Sequence, residues 1–429
     1  MKRALLKKYN YFVLAWFTLT GMFNGISIYF VGSSKKIILD TIFILGLIFL
    51  NKRLQKFSIK EILFISFYLF MTNLSLILYF EKNHYGFTKL FNNSILSIVC
   101  FSNFYLLYKL FKNEFFTKSI SFLFKLQVFI EIGFFIYFVL YNKNNGLFGK
   151  SIIQIFLLQD FSGRFQGSFS EPSCLGLWLG VAIFIIFLLY RKFFSYLIGF
   201  IFIFALYNSC KAKFALIAFP ISIIISVIFY KIKYFSTYSN DIIKQKFNYH
   251  IFLLFFFICI FSFYWHQLTF SFYCFIANVF EKEGSGTYVT RFGFLLSSIK
   301  DICIYPLGHG IGMNYEAFQS VVTDIIPIAN NAGLDTFELR GYKIDPNNMG
   351  SKETFSMLAS TFGFLGIYLY FMFFKNLLSN HYCHKFLSFS LIAFIFFETL
   401  ITGNIISDSA FFILIFSKMA LNTDRRHDK

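Results

Sequence analysis

Four cationic residues carry the clearest chemical signal in the sequence: Arg164, Lys211, Lys213 and Arg291. Arginine presents a planar fork of N–H donors that suits phosphate oxygens, and lysine adds a compact positive charge. Helix starts are expected after Ser170 and near Arg291, and they add backbone N–H groups that favour anions. The pattern therefore predicts a binding site for a phosphate or a pyrophosphate.

A second set of residues could exchange protons. Glu171, His309 and Glu353 are the candidate general bases, and Glu171 is preferred because it follows Arg164 closely. Glu171 also fits a purely structural helix start, where the helix dipole favours an acid, so both interpretations stay open. His309 lies in a glycine-rich loop, where a histidine is either reactive or simply solvated. The residues expected to shape the loops around these groups are Gly167, Pro172, Gly308, Gly310 and Gly312.

These charged residues stand in an unusually apolar chain. Of the 429 residues, 57% are apolar, 14% are charged and 69 are phenylalanine. Runs of about 20 apolar residues are long enough to cross the hydrocarbon of a bilayer. The sequence therefore predicts an all-α, polytopic membrane bundle that forms a single integral membrane domain over residues 1–429. The basic start and the long apolar run after it predict a retained first span.

About twelve membrane spans are predicted. Basic residues concentrate in the short segments on one side of the spans, for example at Lys7, Lys52 and Arg191, and that side is predicted to be cytoplasmic. This asymmetry explains the net charge of +18, which therefore does not indicate nucleic-acid binding. The predicted spans are 9–31, 37–50, 60–80, 90–109, 119–141, 172–190, 193–209, 213–230, 249–276, 353–374, 386–403 and 408–421.

Two predicted outer segments, 142–170 and 281–352, are longer than the other connections. Long loops on a rigid scaffold commonly carry function, although tolerated insertions are the alternative. In the second segment, apolar residues at helical spacing predict a helix over 288–305, with Thr287 or Thr290 at its start and Arg291 in its first turn. A second short helix is predicted over 313–322. The stretch 330–349 is predicted to be irregular, because it is rich in turn residues.

Several nucleotide and metal motifs are absent from the sequence. It contains no P-loop, no Gly-x-Gly-x-x-Gly element, no Asp-x-Asp pair and no Cys or His cluster with metal-ligand spacing. We therefore expect neither a cofactor nor a metal ion. Cationic side chains would then stabilise the charge on a leaving pyrophosphate, and a pyrophosphate attached to a membrane lipid suits a site at the outer surface.

Four short motifs follow one another over residues 160–370. They are Arg-x-x-Gly-x-Phe-x-Glu-Pro from Arg164, Asn-Ser-Cys-Lys-Ala from Asn208, Arg291 with the later Tyr-Pro-Leu-Gly-His-Gly-Ile-Gly from Tyr305, and Gly-Phe-Leu-Gly from Gly363. In order and spacing the set resembles the motifs of the O-antigen and capsule polysaccharide polymerases (Wzy type), which are related to the O-antigen ligases of lipopolysaccharide biosynthesis.

The resemblance implies a metal-independent membrane glycosyltransferase. Such an enzyme moves a growing glycan from undecaprenyl pyrophosphate onto an incoming lipid-linked oligosaccharide repeat unit. The resemblance further implies a multi-pass protein of the bacterial inner membrane with its active site facing the periplasm, and a chain-length regulator as a further partner. Arg164, Lys211, Lys213 and Arg291 would hold pyrophosphate, while Glu171 or His309 would act on the acceptor.

One position departs from the ligase pattern. The ligases carry a His-Asn pair shortly before the Gly-x-x-Gly motif, and this chain has Lys352 and Glu353 there. The departure argues against an O-antigen ligase that moves polymer to lipid A core, and it leaves the general base unassigned. A flippase or transporter of the lipid-linked unit is a further alternative, which would show repeated halves with broken helices. No such repeat is visible in the sequence.

Overall fold

Helices make up all of the regular structure in the described part of the chain. The computed structural model describes residues 8–9, 11–13, 16, 33–50, 66, 70, 117–143, 172–189, 193–210, 212–235, 265–279, 286–310, 317–344, 353–380, 386–401 and 416–417. The α-helices are α1 (Ser33–Leu50), α2 (Thr117–Lys143), α3 (Pro172–Leu189), α4 (Phe193–Phe204), α5 (Lys213–Phe235), α6 (Trp265–Val279), α7 (Gly286–Ile304), α8 (Ile326–Asn331), α9 (Phe337–Ile344), α10 (Thr354–Asn380) and α11 (Phe386–Ile401). One π-helical turn, Ala205–Cys210, continues α4, and another, Val321–Ile325, leads into α8.

The helix α11 is central to the described bundle, because it packs against α3, α5, α7 and α10. Residues 175–186 of α3 are buried on every side of the helix, so its neighbours enclose α3 completely. At the contact between α3 and α11, a Cβ atom on Gly180 would overlap the ring of Phe394. A glycine at this point lets the Phe394 ring pack directly against the backbone of α3, and small residues are common where helices associate in membranes.

Three described helical stretches are long and apolar enough to cross a membrane: Ile120–Leu140, Phe193–Cys210 and Thr354–Met372. Three shorter apolar helices accompany them: Cys174–Leu189, Phe214–Ile228 and Phe386–Ile401. All six coincide with predicted spans, and they are compatible with a membrane protein. The predicted spans 9–31, 60–80 and 408–421 contain only a few described residues, and 90–109 contains none.

The last of the three long stretches is not one straight helix. α10 is interrupted at Gly363, which has φ 57° and ψ −135°, a conformation that side chains disfavour. A Cβ atom on Gly366 would overlap the carbonyl group of Leu358, eight residues earlier. A continuous helix holds such residues about 12 Å apart. The two halves of α10 therefore bend toward each other at the break.

Residues 305–310, which follow α7, fill the break in α10. Three backbone hydrogen bonds join the two segments: the His309 N–H donates to the Ser360 carbonyl (2.8 Å), the Gly310 N–H to the Thr361 carbonyl (3.1 Å), and the Phe364 N–H to the Pro306 carbonyl (2.9 Å). A helix break frees backbone groups that would be costly to bury without partners. The loop supplies those partners and is held in place by them.

The helix predicted over 288–305 is confirmed as α7. It lies beside α10 and also contacts α6, α9 and the second π turn. On this side, a separate apolar cluster that includes Phe294, Phe318 and Leu339 holds α7 to the shorter helices. The T-shaped contact of Phe294 with Phe318, whose ring centroids lie 4.8 Å apart, is at the centre of this cluster.

The prediction of irregular structure over 330–349 is wrong over the length of α9. Asp335 Oδ1 accepts the N–H of Phe337 at 2.9 Å, which starts the helix. Leu339 and Tyr342 then bury one face of α9, a pattern too short to stand out among the turn residues. The second short helix was predicted over 313–322. Residues 311–316 lie outside the described residues, and helical structure runs on from residue 319 to Asn331.

Replacing Gly363 with alanine should unfold this arrangement locally and lower stability by at least about 2 kcal/mol. The new Cβ atom would overlap the Pro306 carbonyl group, and the φ of 57° would be strained. Gly133→Ala in α2 is the matched control, because no described residue outside the helix's own turn lies within 4 Å of the added Cβ. Thermal unfolding of the purified protein in detergent measures both variants. Equal midpoints for the two variants would contradict the tight fit at the break.

Candidate functional site

Buried polar side chains are found on α7 and on the first half of α10, and these two helices pack against each other. Thr290, Arg291, Ser297, Ser298 and Asp301 of α7 are buried. Glu353, Thr354, Ser356 and Ser360 are buried on the side of α10. Three members of the predicted apolar face of α7, Val289, Leu296 and Ile302, are buried as well, so α7 is enclosed on its polar side too. Charged groups are rarely buried unless they are paired, and the pairs are found within this contact.

The first pair joins Arg291 to Glu353. The Arg291 Nη1 atom lies 3.4 Å from Oε1 of Glu353, and the side chains are 7% and 0% exposed. The Glu353 carbonyl accepts the N–H of Met357, so the acid stands at the start of α10, where a helix end favours negative charge. No other hydrogen bond or ion pair of Arg291 occurs among the described residues. The remaining guanidinium donors could therefore still receive an anion.

The position of Arg291 in its helix differs from the prediction. α7 begins at Gly286, so Arg291 lies in the second turn and not among the free N–H groups of the first. Thr290 is likewise inside the helix, and its buried Oγ1 has no hydrogen-bond partner among the described residues. An anion at this point would therefore be bound by the Arg291 side chain, without help from the free backbone N–H groups at the start of α7.

The second pair joins His309 to Asp301. The Nε2 atom of His309 lies 2.8 Å from Oδ1 and 2.7 Å from Oδ2 of Asp301. The histidine side chain is only 1% exposed, and its ring packs on that of Tyr305 with 4.3 Å between centroids. Its other nitrogen, Nδ1, is buried and has no hydrogen-bond partner in the described part of the chain. An acid that orients a histidine in this way is a common arrangement in proton transfer.

The loop that fills the break in α10 also places His309. Its backbone N–H is bonded to Ser360, and Gly308, at φ 78°, lies so close to Thr361 that a Cβ atom would overlap the backbone there. Gly310, at φ 84°, is the second left-handed position. At positions 308 and 310 the backbone conformation therefore explains why the loop contains glycine, as predicted. Gly312 lies outside the described residues.

The two pairs stand at opposite ends of the same helix contact. Arg291 and Asp301 are ten residues apart on α7, which corresponds to about 15 Å along the axis. On the other helix, Glu353 contacts Arg291 and Ser360 contacts the backbone of His309, so the two pairs follow in the same order along α10. The pairs are therefore separate centres along one polar strip, which we name the α7–α10 strip.

The side chains of the other predicted site residues are not among those that the structure describes. Arg164, Gly167, Glu171 and Lys211 are not among the described residues. Pro172 and Lys213 begin α3 and α5, as expected from the sequence, but their side chains are not described. The convergence of the four cations on one pyrophosphate site therefore stays a prediction.

Sequence reasoning missed Asp301 and the pairing of Glu353. Asp301 precedes His309 by eight residues and could have been noticed as an acid at the end of a predicted helix, next to a turn. Glu353 was a candidate base, but its contact with Arg291 makes it an ion-pair partner. Tyr288, another buried group on α7, is no candidate base, because burial raises the pKa of its phenol and keeps it protonated at neutral pH.

Comparison with known proteins yields no relative for this chain. No protein-family model matches it. No curated protein and no solved structure matches it either. Within the described residues, no group of three or more His, Cys, Asp or Glu side chains is placed to hold a metal ion. The family resemblance therefore rests on the four motifs, and the Gly-Phe-Leu-Gly motif is the one described in full.

Breaking the Arg291–Glu353 pair from one side should be far more costly than replacing both partners. Arg291→Met or Glu353→Leu alone leaves a buried charge and should cost about 3–5 kcal/mol. The double variant Arg291→Met/Glu353→Leu should cost less than either single variant, because no lone charge remains. Denaturant unfolding in detergent micelles measures the cycle.

The partly exposed pair of Lys300 and Asp324 provides the control for this cycle. Its side chains are 25% and 16% exposed, so solvent screens the interaction. Asp324→Asn should therefore cost only about 0–1 kcal/mol. If the free-energy costs of the Arg291 and Glu353 variants simply add, and each is as small as that of Asp324→Asn, the buried contact does not couple the two residues.

Proposed function

We propose that the protein is a metal-independent glycosyltransferase of the bacterial inner membrane that polymerises lipid-linked oligosaccharide repeat units. In this proposal the chain has about twelve spans, its active site faces the periplasm, and residues 142–170 and 281–352 are the outer loops. The growing glycan is transferred from undecaprenyl pyrophosphate to a sugar hydroxyl of the incoming unit. The product is an O-antigen or capsule polysaccharide.

One observation carries the proposal: His309 is held against Asp301 by a loop that is bonded into a helix break. Glycosyl transfer needs a base that accepts the proton of the attacking hydroxyl. A histidine with one nitrogen on a carboxylate and the other without a hydrogen-bond partner among the described residues is suited to that task. The same loop contains the glycine motif through which the chain resembles the polymerases.

The donor side of the reaction is assigned to Arg291. A leaving pyrophosphate needs positive charge that is already in place when the bond breaks. Arg291 is fixed by Glu353 through one nitrogen, which leaves further N–H donors for phosphate oxygens. Arg164, Lys211 and Lys213 are proposed to complete the pyrophosphate site. Glu171 stays the alternative base.

A flippase is the second candidate function, because α10 is discontinuous. Helices that break within a membrane protein often line the substrate path of transporters. The break at Gly363 is filled by backbone partners from residues 305–310, which favours a fixed site over a moving gate. The ligase, the third alternative, would act on finished polymer in place of single repeat units.

Replacing His309 with glutamine should abolish the polysaccharide ladder while leaving single repeat units on the surface. The test is a knockout of the host gene complemented with the variant, with surface glycans separated on a gel. His266→Gln is the matched control, since His266 is exposed on α6 and should keep the full ladder. Immunoblots establish equal protein amounts.

The same gel separates the three candidate functions. Single repeat units on the surface support a polymerase. Lipid-linked polymer without surface glycan would indicate a ligase, and repeat units trapped on the cytoplasmic leaflet would indicate a flippase. A normal ladder from a folded His309→Gln protein would refute the role of His309.

A further inference from the structure

The two ring nitrogens of His309 have different surroundings. Nε2 contacts the carboxylate of Asp301 at 2.7–2.8 Å. Nδ1 is buried, and no described residue offers it a hydrogen bond. Because their surroundings differ, the two nitrogens must differ in whether they donate or accept a hydrogen bond.

The carboxylate determines where a neutral His309 carries its proton. An ionised carboxylate only accepts hydrogen bonds, so the imidazole must place its proton on Nε2 to bond Asp301. Nδ1 then keeps a lone pair inside the protein. A buried acceptor without a donor costs about 1–3 kcal/mol, and a substrate hydroxyl that donates to it would recover that cost.

The ring is also restrained from turning over. Both nitrogens would exchange positions only if the imidazole left Asp301 and rotated past the ring of Tyr305, 4.3 Å away between centroids. The backbone is fixed as well, because the N–H of His309 is bonded to Ser360. The direction of Nδ1 is therefore set by contacts from α7, from the loop and from α10.

Resting on the proposed function, we infer that Asp301 is the positioning residue of the reaction and that Nδ1 of His309 is the atom that receives the proton of the acceptor sugar. The sequence motifs assign no role to Asp301, and they do not distinguish the two nitrogens of His309. Asp301 keeps the lone pair on Nδ1 before the reaction. It then stabilises the imidazolium that forms when Nδ1 takes up the proton.

The step balances without a further reactant. The acceptor hydroxyl gives its proton to Nδ1, and its oxygen forms a bond to the anomeric carbon of the donor sugar. The bond between that carbon and the pyrophosphate oxygen breaks, and the electron pair leaves with the lipid pyrophosphate. His309 returns its proton to the leaving group or to solvent, and the neutral imidazole is restored.

A purely structural role for Asp301 is the competing explanation. In that case the pair would only anchor the loop to α7, and its loss would reduce stability without changing the chemistry of the folded protein. The tautomer of His309 separates the two explanations, because it reports on the proton directly and does not depend on activity.

The decisive measurement is nitrogen NMR of the full-length protein in lipid bilayers, labelled with ¹⁵N-histidine. The chain has 7 histidines, and the signals lost in His309→Gln identify those of His309. For the neutral imidazole we expect a protonated Nε2 and an unprotonated Nδ1. In Asp301→Asn, where the amide both donates and accepts, the form with the proton on Nδ1 should appear. Wild-type signals with the proton on Nδ1, or on both nitrogens, would overturn the inference.

A kinetic measurement tests the consequence for catalysis. The substrate is the lipid-linked single repeat unit extracted from a host that lacks this chain. Asp301→Asn should lower kcat by about 10–100-fold with KM changed by no more than about twofold, because the acceptor still binds but its proton is taken up poorly. Asp324→Asn makes the same chemical change at the acid that pairs with Lys300 of α7, and it should leave kcat unchanged. Full kcat in folded Asp301→Asn would overturn the positioning role.

Failure of the proposed function gives a different result. If the wild-type protein does not polymerise the lipid-linked units at all, the glycosyltransferase assignment fails, whatever the tautomer. If wild-type protein is active and the tautomer of His309 is unchanged in Asp301→Asn, the inference alone fails. The two outcomes cannot be confused, because one concerns wild-type turnover and the other the proton on a single ring.

Discussion

A helix that breaks inside an apolar protein must find other partners for the backbone groups that it frees. In α10 those partners come from residues 305–310 through three hydrogen bonds, two to residues before Gly363 and one to the residue after it. The bonds require two backbones at van der Waals distance, and this is possible because Gly308 and Gly363 carry no side chain. The position of His309, and with it the proposed chemistry, depends on this contact.

The same constraint explains why the buried charges are paired where they are. Burying a charge is costly, and a buried ion pair seldom adds stability beyond what apolar residues would give. An ion pair and a histidine–carboxylate pair along one helix contact are therefore poorly explained as stabilising devices. They fix the direction of particular side chains instead: Glu353 holds one edge of the Arg291 guanidinium, and Asp301 holds one nitrogen of His309. In both cases the other nitrogens of the group have no hydrogen-bond partner among the described residues.

Local sequence patterns predicted the parts of this site but not their assembly. The spacing of Val289, Leu296 and Ile302 was sufficient for α7, and the glycines around His309 were sufficient for a tight loop. The pairing of Arg291 with Glu353 spans 62 residues and depends on α7 lying along α10. No local sequence pattern predicts how two distant helices pack. α9 was missed for the opposite reason. Its two buried residues form too short a run at helical spacing to outweigh the turn residues around them.

The distance between the two pairs would keep two positive charges apart during the proposed reaction. Proton uptake creates a positive charge on His309, and a second cation in direct contact would oppose it. About 15 Å along α7 separates Arg291 from Asp301, which weakens that repulsion strongly. Each cation also has its own carboxylate. The acceptor hydroxyl attacks the anomeric carbon that carries the pyrophosphate, so in the proposed reaction Arg291 would contact the phosphate that lies farther from this carbon, while His309 would take up the proton beside it.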